Sequence, residues 1–187
     1  MARVTLATAR LVLREFEPDD AAAMVELNSD PEVLRYTGDK PFESVEAARR
    51  FLEAYPDYRA NGFGRWAVIL AATGDFAGWC GLKRVDGEVD LGYRLHRRFW
   101  GAGFATEAAR ASVAHGFLEL GLEEIIARAW APNLASIRVI EKCGLRFWKL
   151  ARHFDTDGVP HFRVGRHELA PELLRSWAAC QRTPDTL

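Results

Sequence analysis

One stretch of the chain decides its fold, Arg97-Arg98-Phe99-Trp100-Gly101-Ala102-Gly103-Phe104-Ala105-Thr106-Glu107-Ala108. Its two glycines separate an alternating strand pattern from a long alanine-rich helix pattern. The first N–H groups of a helix lack partners inside it and carry partial positive charge, so this junction suits an anion such as phosphate. Glycine also permits positive φ and lets a ligand approach the backbone. A tight connection that binds nothing has the same spacing, and the spacing alone does not separate the two interpretations.

Length and composition favour one globular domain over residues 1–187. The chain has 187 residues, of which 49% are hydrophobic and 27% charged, as is ordinary for a soluble protein. It has no apolar run long enough for a bilayer, and its N-terminus lacks the apolar core of a signal peptide. We therefore expect a cytoplasmic protein without a membrane partner. The net charge of -1 leaves no broad basic surface for nucleic acid, so a small or local partner is expected.

Cysteine and histidine spacing predicts no metal site. Cys80, Cys143 and Cys180 form no CxxC pair and are odd in number, which argues against a disulfide framework and against zinc. The histidines show no metal-ligand spacing. We expect packing roles for the cysteines, and structural or surface roles for the histidines.

The first half of the chain mixes strand and helix patterns. Apolar Leu11 and Leu13 alternate with Arg10 and Arg14, which predicts a strand over 8–15. Acidic and proline residues open a helix that ends near Ser29. Further elements are predicted as a helical turn over 31–36, a helix from 45 to about 55, and a hairpin over 66–70 and 76–82.

Residues 88–96 form the clearest strand pattern, and Glu88 and Asp90 share one of its faces. After the glycines come a helix to about Leu120, a strand over 124–130, and a helix over 134–143 that Asn133 caps. Parallel pairing of the two strands would bring both helix N-termini to one sheet edge, where ligands of open sheets bind. Extended runs over 145–154 and 159–169, a turn at 155–158 and a helix over 171–180 complete an α+β or mixed α/β fold.

Three motifs resemble one family, the Gcn5-related N-acetyltransferases (GNAT). The family's acetyl-CoA pyrophosphate loop is similar to Arg98-x-x-Gly101-x-Gly103-Phe104-Ala105-Thr106-Glu107-Ala108. Its second conserved block is similar to Asn133-x-x-Ser136-x-Arg138-Val139-Ile140-Glu141-Lys142-x-Gly144. The N-terminus of its RimJ/RimL-like ribosomal-protein acetyltransferase branch resembles Thr8-x-Arg10-Leu11-x-Leu13-Arg14. The motifs occur in the right order across most of the chain, and together they are far more specific than any one alone.

The resemblance implies a fold and a cofactor position. The GNAT fold has a central twisted mixed sheet of about seven strands, mostly antiparallel with one splayed parallel pair, flanked by helices. Acetyl-CoA, the expected co-substrate, would lie between strands 88–96 and 124–130. The implied contact for the pantetheine arm is Leu95, and those near the thioester are Asn133 and Ser136. The implied contacts for the pyrophosphate are Arg98, Gly101, Ala102, Gly103, Phe104, Ala105 and Thr106. Arg138 would lie near the nucleotide, although a solvated helix position is equally expected for it.

Acetyl transfer needs a neutral amine and a stabilised thiolate. At pH 7, deprotonating an α-amine of pKa ~8 costs about 1.4 kcal/mol, whereas a lysine costs about 4.6 kcal/mol. Asp90 is the candidate base, directly or through water, with Glu88 as its substitute. Acids that merely solvate a sheet face would show the same pattern. The branch more often has glutamate at position 90, and the shorter aspartate argues against direct proton abstraction.

Ile140 stands where many GNAT relatives have a tyrosine acid, and it has no proton to donate. Ser136 is the remaining candidate for the thiolate, because its hydroxyl can donate from the first turn of a helix. A second hydrogen bond at the helix start is its alternative role. No cysteine lies in a motif position, so we expect direct attack in a ternary complex rather than an acetyl-enzyme.

The favoured acceptor is a protein or peptide N-terminal α-amine. A small amine, such as an antibiotic, an amino acid or a polyamine, is the alternative, and a non-catalytic acyl-CoA sensor is a third hypothesis. Tyr36, Phe42 and Trp79 are candidate pocket residues beside the turn at 155–158, although core packing is the simpler role for Trp79. A homodimer is expected only by analogy with the branch.

Overall fold

A mixed sheet runs through the protein. The computed structural model describes residues 4–153 and 155–178. The strands are β1 (Val4–Ala7), β2 (Leu11–Arg14), β3 (Arg65–Leu70), β4 (Phe76–Val85), β5 (Glu88–Leu95), β6 (Glu124–Arg128), β7 (Arg146–His153) and β8 (Thr156–Gly165). Over these described ranges they form one eight-stranded sheet in the order β1-β2-β3-β4-β5-β6-β8-β7. The predicted mixed α/β fold is confirmed.

Helices cover both faces of the sheet. They are α1 (Ala21–Ser29), α2 (Pro31–Leu34), α3 (Val45–Glu53), α4 (Asp57–Asn61), α5 (Phe104–Leu118), α6 (Leu134–Lys142) and α7 (Pro171–Ala178). Two helix starts follow from side-chain caps, since Ser44 accepts from the Ala47 amide and Asn133 accepts from the Ser136 amide, each at 3.1 Å. Three short 3-10 turns precede α1, the loop at residues 100–103 (the glycine loop) and α7; they are Pro18–Asp20, Arg97–Phe99 and Arg166–Glu168.

β5 and β6 are the parallel pair that the resemblance implies. Their ladder has one matched pair in the described structure, Asp90 with Ile126, whereas β4 and β5 stay paired from Val85–Glu88 to Gly78–Leu95. β5 therefore runs on past the point where β6 diverges from it. The edge of β5 beyond Asp90 faces the opening between the two strands.

The larger core lies between the sheet and α5. Val89, Leu91 and Leu95 of β5 are buried against this layer together with Phe117 of α5. Alanines at positions 108, 109 and 111 are almost completely buried, so α5 lies close to the strands beneath it. A second cluster packs α1, α2 and α3 together, with Met24, Leu27 and Leu52 at its centre.

Several predicted boundaries differ from the structure. β1 was not predicted, and the strand expected over 8–15 is shorter because Thr8 and Leu11 form the turn that joins β1 to β2. Helix α4 was also missed. α5 ends at Leu118, before Gly121, and β8 begins at Thr156, so the turn predicted at 155–158 is tighter than expected.

The predicted end of the strand at Phe154 and the predicted helix end at Cys180 lie outside the described residues. Among the helices of 4–153 and 155–178, none is both long and apolar enough to span a bilayer. Within the same ranges, no group of histidine, cysteine and acidic side chains is arranged to hold a metal ion.

Candidate active site

The glycine loop connects β5 to the start of α5. Gly101 has φ 77° and Gly103 has φ 83°, so both lie in the left-handed region that favours glycine. The indole N–H of Trp100 donates to the carbonyl oxygen of Leu95 at 2.8 Å and holds the loop against the end of β5. The loop is exposed, and it leads directly into a helix of 15 residues. The first amides of that helix are thus available to an anion from solvent.

Two arginines of the 3-10 turn before the glycine loop contact α1 and the residue that follows α1. The guanidinium of Arg98 lies 2.7 Å from the Glu26 carboxylate, and that of Arg97 lies 3.1 Å from Asp30. Arg98 remains half-exposed in this contact. The predicted pyrophosphate residue is therefore close to the glycines and balanced by an acidic partner.

The start of α6 faces the opening between β5 and β6. Ser136 is half-buried in the first turn, and its hydroxyl oxygen lies 2.9 Å from that of Tyr93 on β5. The Tyr93 hydroxyl also lies 2.9 Å from the Ser136 carbonyl oxygen, to which it can donate. Burial raises the pKa of Tyr93 far above its ordinary value, so the phenol keeps its proton. Arg138, one helical turn from the cap, is exposed.

The candidate base Asp90 lies between two arginines. Arg65 of β3 pairs with one oxygen of Asp90, and Arg128 of β6 donates to the other at 3.1 Å. Arg128 also pairs with Glu88 at 2.8 Å. The side chains of Arg65, Asp90 and Arg128 are only 13%, 12% and 8% exposed. Both predicted carboxylates are therefore held in one partly buried charge cluster.

A cavity of about 1060 Å³ joins these groups to the α1–α3 side. Asp90, Tyr93, Asn133, Ser136 and Ile140 line it at the strand opening. Its other wall is aromatic and contains the three predicted pocket residues; the aromatic side chains there are Phe16, Tyr36, Phe42, Phe51, Tyr55 and Trp79.

Comparison with known proteins decides the family. The model of the acetyltransferase (GNAT) domain matches residues 10–146. The chain belongs to the GNAT acetyltransferase family. It is 34% identical over 155 residues to the uncharacterized N-acetyltransferase p20 of Bacillus licheniformis, covering 81% of this chain and 87% of that protein. It is also 34% identical over 158 residues to the FsC-acetyl coenzyme A-N(2)-transacetylase of Aspergillus fumigatus, covering 77% and 66%.

The solved structures agree with this family. A GNAT-family acetyltransferase from Bacillus anthracis superposes with a TM-score of 0.71 at 26% identity, covering 89% of this chain and 98% of that one. This GNAT protein is accordingly an enzyme of the N-acetyltransferase class.

Sequence reasoning missed the partners of the candidate site residues. Tyr93 lies in the predicted strand over 88–96 on the face opposite Glu88 and Asp90, and this pattern predicts only an apolar environment for it. Arg128 lies in the predicted strand over 124–130, and the observed pairing of Ile126 with Asp90 brings it beside that carboxylate. Arg65 carries no comparable local signal, since only the pairing of β3 with β4 and of β4 with β5 brings it to this cluster.

Trp79 belongs to the cavity wall of this acetyltransferase. The guanidinium carbons of Arg65 and Arg94 lie 5.5 Å and 5.3 Å from the centre of its ring. Arg94 also pairs with Asp39 and Asn28, which lie on the α1–α3 side. The wall of the cavity at Trp79 thus contains two guanidinium groups that lie against an aromatic ring.

Two histidines lie near the same cluster. His153 lines the cavity, and its ring lies 6.3 Å from that of buried His161. Burial and the nearby Arg128 lower the pKa of both imidazoles. Both are therefore neutral at pH 7 and add no positive charge to the site.

Proposed function

We propose that this protein transfers the acetyl group of acetyl-CoA to the α-amine of a protein or peptide N-terminus, and that it belongs to the RimJ/RimL-like branch. The supporting observation is the charge cluster: Asp90 and Glu88, the two candidate bases, are paired with Arg65 and Arg128. To take a proton, either carboxylate has to give up part of these contacts. An acceptor that needs little help to lose its proton fits this site best.

The acceptor's own acidity separates the candidates. An α-amine costs about 1.4 kcal/mol to deprotonate at pH 7 and a lysine side chain about 4.6 kcal/mol. Because Asp90, Asp39 and Glu88 are already paired with arginines, these carboxylates give an ammonium ion little stabilisation, and the neutral amine is favoured. In this proposal Asp90 acts mainly by holding the arginines, and a water carries the proton away from the amine.

The residues of the loop and the strand opening fit acetyl-CoA. The glycine loop offers helix-start amides at the surface, and within the described part of the chain no heavy atom apart from Gly101 itself and its two neighbours lies within 4 Å of the position a Gly101 Cβ would take. The relative from Aspergillus fumigatus is named for acetyl coenzyme A. Acetyl-CoA supplies the thioester carbonyl that the amine attacks. Arg98 and the amides from Gly101 to Thr106 would bind its pyrophosphate, and the β5 edge near Leu95 its pantetheine arm.

Ser136 and Tyr93 provide the hydrogen-bond donors on the leaving-group side. The Tyr93 hydroxyl has one proton, so donation to the Ser136 hydroxyl oxygen replaces its hydrogen bond to the Ser136 carbonyl oxygen. In that arrangement the serine proton can point toward the strand opening. Ser136 is then a donor to the thiolate that departs, and Tyr93 keeps it in that orientation. Asn133 holds the backbone of the same turn.

A small-molecule amine is the second candidate, because the cavity wall is aromatic and partly enclosed. A polyamine fits this wall poorly, since Asp39 and Asp90, two of the acids lining it, are paired with arginines. Acceptors with one amine and an aromatic or uncharged body are preferred in this alternative.

One experiment tests these proposals. The protein is incubated with acetyl-CoA and a panel of N-terminal peptides, their N-terminally blocked lysine-containing counterparts, aromatic amines and spermidine, and thiol release is followed. We expect release with free α-amines only. Release with the small amines instead supports the second candidate. Binding of acetyl-CoA without release for any acceptor supports the sensor hypothesis and contradicts ours.

Other predictions made from the sequence stay predictions. We propose that residues 1–187 form one N-acetyltransferase domain, that it works in the cytoplasm, and that it forms a homodimer. Limited proteolysis, cell fractionation and sedimentation measure these properties directly.

A further inference from the structure

The N-terminal sequence motif contacts the glycine loop. The side-chain hydroxyl of Thr8 donates to one oxygen of Glu107 at 2.6 Å, and the backbone amide of Arg10 donates to the same oxygen at 3.0 Å. The guanidinium Nε of Arg10 donates to the other oxygen at 2.6 Å. Thr8 and Arg10 thus satisfy the whole carboxylate of a residue that lies 97 positions or more along the chain.

Arg10 also holds the backbone between the two glycines. Its guanidinium donates to the carbonyl oxygen of Ala102 at 3.0 Å and lies 4.5 Å above the ring of Phe104. The peptide bond after Ala102 is trans, so its carbonyl and the amide of Gly103 point in opposite directions. Fixing the carbonyl toward Arg10 therefore fixes the Gly103 amide away from it.

Glu107 has an electrostatic consequence for anion binding. It lies in the first turn of α5, where the helix dipole stabilises a carboxylate. The same negative charge opposes a diphosphate at that helix start. Because Arg10 pairs with Glu107 at 2.6 Å and stays 48% exposed, it neutralises the carboxylate, and part of its guanidinium stays accessible at the surface beside the loop.

We propose that Arg10 is a positioning residue for the cofactor diphosphate: it compensates the charge of Glu107 and fixes the loop amide of Gly103. This inference rests on the proposed binding of acetyl-CoA. It gives the Thr8–Arg10 motif a role at the cofactor end of the site rather than at the acceptor end.

The test compares two ligands and a double-mutant cycle. Dissociation constants for acetyl-CoA and for acetyl-pantetheine, which lacks the diphosphate, are measured by calorimetry with Arg10→Ala, Glu107→Gln and the double variant. Arg10→Ala should weaken acetyl-CoA at least about tenfold and leave acetyl-pantetheine within about twofold. Glu107→Gln removes the opposing charge together with its contact to Arg10, so it should change the acetyl-CoA affinity less than Arg10→Ala does. The double variant should recover most of the loss, because the uncompensated carboxylate is gone.

Two results would overturn the inference. One is an equal loss for both ligands, which indicates a general disturbance of the fold. The other is a double variant that binds acetyl-CoA no better than Arg10→Ala. Arg10→Lys keeps the charge without the forked contacts, so an acetyl-CoA affinity between those of wild type and Arg10→Ala is expected, and a value at or below Arg10→Ala contradicts charge compensation. Failure of wild type to bind acetyl-CoA would instead refute the proposed function.

Discussion

The hydroxyl oxygens of Tyr93 and Ser136 lie 2.9 Å apart at the opening between β5 and β6. The two residues come from different elements, a strand and the first turn of α6, and both side chains are half-buried. Residue 140, which lines the same part of the cavity, is an isoleucine and has no hydroxyl group. Tyr93 and Ser136 are the hydroxyl-bearing side chains that line the cavity there.

Removing either hydroxyl should slow turnover. We expect Ser136→Ala and Tyr93→Phe each to lower kcat about tenfold or more while the acetyl-CoA dissociation constant changes little. Combined in one chain, they should lose less than the product of the single losses, since the hydroxyls act as one unit. Ser176→Ala, an exposed serine on α7, is the control. If the loss of kcat in the double variant equals the product of the two single losses, the two hydroxyls act independently, and Tyr93 does not work through Ser136.

Asp90→Asn should damage stability as well as turnover. The change leaves the mostly buried guanidinium groups of Arg65 and Arg128 without a full countercharge, and we expect a loss of about 2 kcal/mol in the free energy of unfolding. Glu88→Gln, at a site 33% exposed, should cost less than about 1 kcal/mol. Urea unfolding measures both.

The pH profile of the same variants tests whether Asp90 takes the proton. If the amine titrates by itself, the acid side of the kcat/KM profile keeps its midpoint in Asp90→Asn although the plateau falls. A midpoint that moves with the substitution would favour the direct-base hypothesis instead.

Gly103→Val should weaken cofactor binding beyond its effect on stability. The position has φ 83°, so any side chain costs about 1–2 kcal/mol of backbone strain. Gly74→Val is a matched control, because Gly74 has φ 77°, open space around its Cβ position and a place in the β3–β4 turn. Both variants should unfold more easily, but only Gly103→Val should raise the dissociation constant for acetyl-CoA. If the two variants have the same dissociation constant for acetyl-CoA, the ligand does not approach Gly103 closely.

Acid should destabilise the fold through His161. Burial, together with Arg128, Lys149 and His153, lowers the pKa of its imidazole, with Glu88 opposing. The unfolded chain therefore takes up a proton first as the pH falls below about 6.5, and stability drops from there until the folded state also protonates. His161→Gln should flatten this slope in thermal melts between about pH 6.5 and 5, whereas His167→Gln, at an exposed site, should leave it unchanged. A slope unaffected by His161→Gln would contradict the assignment.

Local sequence patterns were enough for the elements around the site. The glycines at 101 and 103, the cap at Asn133 and the alternation in β5 each act within a few residues, so strand, loop and helix follow from them. The parallel pairing of β5 with β6 was reached through topology and family resemblance.

Long-range charge pairing could not be read from the sequence. Asp90 looked like a solvated or catalytic acid because its partners, Arg65 and Arg128, lie 25 and 38 positions away. Only the stacking of β3, β4, β5 and β6 side by side brings them together. The same holds for Thr8 and Glu107, whose contact depends on how β1 and β2 lie beside α5.

The divergence of β5 from β6 after Asp90 has an evolutionary consequence. In the proposed complex, main-chain amides of β5 and of the glycine loop recognise the ligand, and main-chain groups are the same whichever side chains mutation installs. Substitutions can then change the side chains of the cavity wall while binding of the acetyl donor is kept. Under this proposal, relatives that keep a third of their residues in common can differ in the amine they accept and still use the same acetyl donor.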